Sequence, residues 1–84
     1  MWIIKNTYRI FNEKTNAYTR WIDCYLDKRA VNGDLLYNVF AGISTAAQFS
    51  SKAKAVNCMK QRGLTGRRYA DCKYAAVKLT ISPN

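Results

Sequence analysis

The chain has 84 residues, 49% of them apolar or aromatic, with 14 Lys and Arg against 5 Asp and Glu and no histidine. That length makes one small domain, residues 1–84, and the apolar share excludes a disordered tail. Without imidazole there is no His-based acid–base chemistry, and the scattered carboxylates form no catalytic pair, so neither an enzyme nor a cofactor is expected.

Residues 2–11 alternate and are rich in β-formers, which reads as a strand. Trp2, Ile4, Tyr8 and Ile10 fall on one face; Ile3, Lys5, Thr7, Arg9 and Phe11 fall on the other. Residues 12–16 are a polar turn. Residues 18–28 read as a second strand, with Ile22, Cys24 and Leu26 on one face and Trp21, Asp23 and Tyr25 on the other. The dipeptide Asn32-Gly33 suits the two positive φ angles of a type I′ turn, so the runs flanking it are expected to pair as a hairpin. Residues 35–43 form the third strand, apolar on both sides as a central strand is. Residues 44–48 suit either a loop or an early helical turn.

Ser50 and Ser51 are N-cap residues for a helix running to about Arg62, with Gly63 at C′. Its apolar stripe is Ala55, Val56 and Met59, with Ala53 at the edge. Residues 64–68 are a basic loop, and 69–82 read as a long last strand. In that strand Ala75, Val77, Leu79 and Ile81 oppose Tyr74, Ala76, Lys78 and Thr80. The expected fold is α+β: an antiparallel sheet of three to four strands in the order β-β-β-α-β, with one helix packed on one face.

Charge is distributed unevenly. Residues 52–84 hold eight Lys and Arg against Asp71 alone, so seven of the nine net positive charges lie there. Such asymmetry steers polyanions to one end of a molecule. The three cysteines, Cys24, Cys58 and Cys72, are odd in number and form no CxxC. They read as reduced packing residues in a reducing cytosol, with no metal site. No segment reaches the ~20 apolar residues of a membrane span, and the opening Trp2-Ile3-Ile4 run is too short for a signal peptide.

Three features bear on function. The sheet face left uncovered by a single helix gathers Lys5, Thr7, Arg9, Phe11, Trp21, Tyr25, Tyr74 and Lys78, and rings interleaved with cations suit single-stranded nucleic acid. The same face suits a solvated surface or a dimer interface. Lys52 and Lys54 occupy the first turn of a helix without acids, where cations oppose the dipole and favour an anion; exposed lysines that aid solubility explain them equally. Gly63-Leu64-Thr65-Gly66 followed by Arg67 and Arg68 brings backbone and guanidinium groups to phosphates; a helix C-cap and a turn also explain the glycines. Ser51-Lys52-Ala53-Lys54 meets an S-x-x-K spacing that recurs by chance in any lysine-rich helix start.

The opening Trp2-Ile3-Ile4-Lys5 strand, the Phe49-Ser50-Ser51-Lys52-Ala53-Lys54-Ala55 lead into a short helix, and the closing Ala76-Val77-Lys78-Leu79-Thr80-Ile81 strand resemble small bacteriophage-encoded accessory proteins of the anti-CRISPR-like type. The resemblance implies a non-catalytic inhibitor of a host nucleic-acid-handling defence complex, acting by occlusion in the bacterial cytoplasm. The helix lead also looks like that of integrase arm-binding and AP2-type DNA-binding domains, from which the extra last strand departs. The partner expected is a host protein or ribonucleoprotein with an acidic surface, or DNA or RNA directly, with a homodimer as a structural alternative. The anchors expected are Lys52, Lys54, Lys60, Arg62, Arg67, Arg68, Lys5, Arg9 and Lys78, with Trp21 and Tyr25 as aromatic hot spots.

Overall fold

The first strand is apolar on both sides at its start, and it lies at the centre of the sheet. In a computed structural model that describes residues 1–33, 37–65 and 71–80, Ile3 and Ile4 are 1% and 0% exposed on opposite faces. The elements are β1 Trp2–Tyr8, β2 Phe11–Asn12, β3 Ala17–Tyr18, β4 Ile22–Leu26, α1 Lys28–Val31, β5 Phe40–Ala41, a 3-10 turn Ile43–Thr45, α2 Lys52–Gln61 and β6 Cys72–Lys78. The main sheet has the order β5-β4-β1-β6, all neighbours antiparallel. Lys5 lies opposite Tyr25 of β4 and Ala75 of β6. The α+β class, the four-stranded antiparallel sheet and the one main helix match the reading of the sequence.

Four expectations are corrected. Asn32-Gly33 closes no hairpin: Asn32 has φ −73° and caps the short helix α1, while Gly33 takes the left-handed φ of 84° that ends it. Asp27 decides this, because its side chain accepts the Arg29 N–H and caps α1; a glycine after a C-cap is the same signal read at a helix end. The third strand is not central. Only Phe40–Ala41 pairs, at the sheet edge, before the chain turns at Gly42 into the 3-10 turn; residues 34–36 lie outside the described residues. The first two strands are each broken. The outer parts, Phe11–Asn12 and Ala17–Tyr18, form a separate two-stranded ribbon around the expected polar turn, where Asn16 has φ 53°.

The fourth correction concerns the faces of the last strand. Trp2 lies opposite Lys78, Ile4 opposite Ala76 and Asn6 opposite Tyr74. Tyr74, Ala76 and Lys78 therefore share the face of Ile4, which carries α2, and Lys73, Ala75 and Val77 lie on the opposite face, which is exposed at Lys73 and Ala75 and closed at Ile3. Apolar count misled here because Ala75 and Val77 belong to that opposite side.

α2 is delimited as its sequence predicts. The Ser51 hydroxyl accepts the Lys54 N–H at 3.2 Å. At the other end Gly63 has φ 70°, Leu64 N–H bonds to Met59 O and Gly63 N–H to Lys60 O, the two bonds of a Schellman motif. Leu64 is thereby drawn under the helix into the core of Ile4, Leu26, Ala30, Ala55, Met59 and Leu64. Trp2, Phe40, Phe49, Cys58, Tyr74 and Ala76 pack around it. Ala55 is fully buried, and its small side chain lets α2 approach the sheet. Among the described residues no helix is long and apolar enough to cross a membrane.

A cation and aromatic face on the open side of the sheet

Strand alternation sends Lys5, Thr7 and Arg9 to the side away from α2. The end of β1 is fastened there by two bonds between Arg9 and Asp71. Arg9 N–H donates to Asp71 O at 3.0 Å, and Arg9 Nε donates to Asp71 Oδ1 at 2.8 Å. This pairing brings the start of β6 beside the β2–β3 ribbon and the start of β4.

A continuous run of rings and cations results. Phe11 meets Tyr18 edge-on, centroids 5.1 Å apart. The Arg9 guanidinium carbon lies 3.9 Å from the Tyr18 centroid and 4.8 Å from the Trp21 centroid. Lys73 Nζ lies 4.8 Å from the Trp21 ring. Each such contact at an exposed site is worth roughly 0.5–1 kcal/mol. Phe11, Tyr18 and Trp21 nonetheless remain 44%, 46% and 43% exposed. Three sizeable rings at one end of a small molecule, held in place and open to solvent, are a patch of the kind that marks an interaction surface. Among the described residues two acids share the face: Asp71, and Asp23, which accepts the Thr7 hydroxyl at 2.8 Å.

Of the residues singled out in the sequence, Lys5, Arg9, Trp21 and Tyr25 come to this open face. Lys78 does not; it lies across from Trp2 on the α2 side. Lys52, Lys54 and Lys60 are exposed on α2 and line one shallow groove with Ala53, Val56 and Asn57. Lys52 Nζ also lies 5.8 Å from the Trp2 ring. Arg62 is no solvent-facing anchor. It is half-buried, its Nη1 donates to Asn38 Oδ1 at 3.0 Å and its Nη2 to Ala30 O at 2.9 Å, tying the end of α2 to α1. Arg67, Arg68 and Gly66 lie outside the described residues.

Tyr18 and Lys73 are the members of the run that sequence reasoning missed. The signal for Tyr18 was the polar turn, since a hairpin over it sets Phe11 opposite Tyr18. Lys73 needed the β1–β6 register, which no local pattern contains.

The cysteines lie elsewhere. Cys24, Cys58 and Cys72 are free and half-buried. Cys72 Sγ donates to Asn6 Oδ1 at 3.3 Å, and burial foremost pushes the Cys24 thiol above its ordinary value. Among the described residues no three Cys, Asp or Glu side chains converge as metal ligands would.

Fold and face together define a small α+β protein with a solvent-open cation–aromatic surface. No protein-family model, curated protein or solved structure matches the chain.

Proposed function

We propose that the protein is a non-catalytic binding protein whose open sheet face takes unpaired nucleotides of DNA or RNA. The observation that carries this reading is the run Phe11, Tyr18, Arg9, Trp21 and Lys73, in which exposed rings alternate with cations. Rings stack on any base and cations follow the phosphates, so such a surface binds single strands with little sequence preference. The net charge of +9 draws the polyanion in. In this reading the protein works in the cytoplasm of a bacterial host, as a small basic accessory protein of phage type.

Asp23 and Asp71 favour a second reading. Carboxylates within the face weaken its pull on phosphate, while Trp, Tyr and Arg are the residue types that anchor protein interfaces. On that reading the face docks through its rings and Arg9 on a protein surface of a host nucleic-acid-handling complex and blocks it by occlusion, as an anti-CRISPR-like inhibitor does.

Fluorescence anisotropy with labelled single-stranded and duplex DNA and RNA, at about 50 and 200 mM salt, separates the two. The nucleic-acid reading expects single strands to bind better than duplex, with affinity falling steeply between the two salt concentrations. Trp21→Ala should weaken single-strand binding by roughly 1–3 kcal/mol, about 5- to 150-fold. Lys73→Ala, beside Trp21 on the same face, should weaken binding to every sequence alike and reduce the salt slope by about one. No binding at the lower salt refutes the first reading and leaves the second, which a pull-down from host lysate with tagged wild type and Trp21→Ala then tests.

A further inference from the structure

The solvent side of α2 is the other surface whose composition calls for an explanation. Its ten residues include no acid, and Lys52 and Lys54 stand in the first turn, where a carboxylate is preferred. Ala55 and Met59 face the core. Beside that buried row runs a second one, Lys52, Val56 and Lys60, spaced four residues apart. The two lysines are exposed and Val56 is half-buried between them. Two turns separate the lysines, so their stems leave the helix about 12 Å apart along its axis. With Ala53 and Asn57 they form one shallow groove along the helix. This side points away from the sheet, opposite to the face that carries Trp21 and Arg9.

We infer that this row is a docking surface for an acidic amphipathic helix of a protein partner, with carboxylates about two turns apart and an apolar side chain between them. Charge complementarity and the apolar middle decide the occupant. Nucleic acid would use Lys52 and Lys60 but would leave Val56 and Ala53 against phosphate or sugar, and the groove lining holds no ring for a base to stack on. An acidic helix satisfies both ends and the middle, in the manner of a helix laid along an apolar strip by its i, i+4 and i+8 positions. The partner is thereby held on the side of the molecule opposite to the open sheet face, so both surfaces can be occupied at once.

The test uses a synthetic helical peptide of about 15 residues, with glutamates eight apart and leucine midway, titrated into 15N-labelled protein. Saturable amide shifts should appear along Lys52, Val56 and Lys60, with Kd below about 1 mM. A peptide with glutamine for glutamate should bind at least several-fold more weakly. Lys60→Glu should weaken the glutamate peptide on the order of tenfold, and a peptide with lysine for the facing glutamate should restore binding to that variant. Lys60 is exposed, and far-UV circular dichroism confirms that the variant is folded. The inference is overturned by no shifts up to about 1 mM peptide, by shifts confined to the open sheet face, by equal binding of the glutamine peptide, or by a single-stranded oligonucleotide moving the same α2 amides. Since Trp21 and Lys60 lie on opposite sides, failure here leaves the anisotropy result on Trp21→Ala standing by itself.

Discussion

Asp27 is the one buried charged side chain among the described residues, 1% exposed, and it holds three segments together. Its Oδ1 accepts the Arg29 N–H at 2.9 Å and the Arg29 Nε–H at 3.0 Å, and its Oδ2 accepts the Thr45 hydroxyl at 2.7 Å. Those donors, the Arg29 backbone first, hold the carboxyl at about 2, below the ordinary 3.8. A folded-state value below the unfolded one means stability that is present in full above the ordinary carboxylate range. It drains away as pH falls from about 4 toward 2. Thermal unfolding followed against pH should therefore show wild type losing stability over that window. Asp27→Asn should be less stable near neutrality and should lose less on acidification, because its cap carries no proton-sensitive charge. Equal acid sensitivity in the two proteins would refute the assignment. None of this was legible in the sequence: Asp27 sits in an alternating run that reads as strand, and its partner Thr45 is 18 residues away. Arg62 was misread for the same reason, as the groups it binds, Asn38 and Ala30, are distant along the chain.

At the scale of elements, legibility follows how local the signal is. α2 was readable at both ends because Ser51, Gly63 and the apolar stripe lie within the helix or beside it. The Asn32-Gly33 turn was not, because the same dipeptide serves a hairpin and a helix end, and the choice rests on the Asp27 cap. The cap of α2 offers a graded check. Ser51→Ala removes the acceptor for Lys54 N–H and should cost about 1 kcal/mol in urea unfolding. Lys54→Glu should act oppositely. It removes a cation from the positive end of the dipole and completes an S-x-x-E capping box, a gain of roughly 0.3–1 kcal/mol. Lys52 is the wrong site for that experiment, because its ammonium group rests near the Trp2 ring. A Lys54→Glu protein no more stable than wild type would mean that the first turn is already compensated.

For the molecule as a whole, the class was legible in the sequence, but the strand order and the faces of the last strand were not. The order depends on β6 returning across α2 to lie against β1, and alternation within β6 is silent about which neighbour it meets. The core so formed is thin. Among the described residues, four of the nine buried apolar ones are alanines, Ala30, Ala46, Ala47 and Ala55, so each larger side chain carries a large share. Leu26 is fully buried in the cluster it forms with Ile4, Ala30, Ala55, Met59 and Leu64. Leu26→Ala should cost about 2–5 kcal/mol, a large fraction of the ~5–15 kcal/mol that stabilises a typical domain. Calorimetry should find the variant with a sharply lowered midpoint or without a cooperative transition. A loss under about 1 kcal/mol would mean that the site collapses around the smaller side chain.

The pairing of Trp2 with Lys78 also sets an order of events during synthesis. β1 leaves the ribosome before both of its neighbours, and one of them is made about 70 residues later. At roughly 5–20 residues per second that is a wait of about 4–14 s. Through this interval the edge of β1 that β6 will cover stays open, with Ile3 and Ile4 beside it. Pairings of such sequence separation close slowly even when the chain is complete. The nascent protein thus passes its most aggregation-prone moments with its central strand exposed, and any chain that terminates before β6 keeps that edge uncovered.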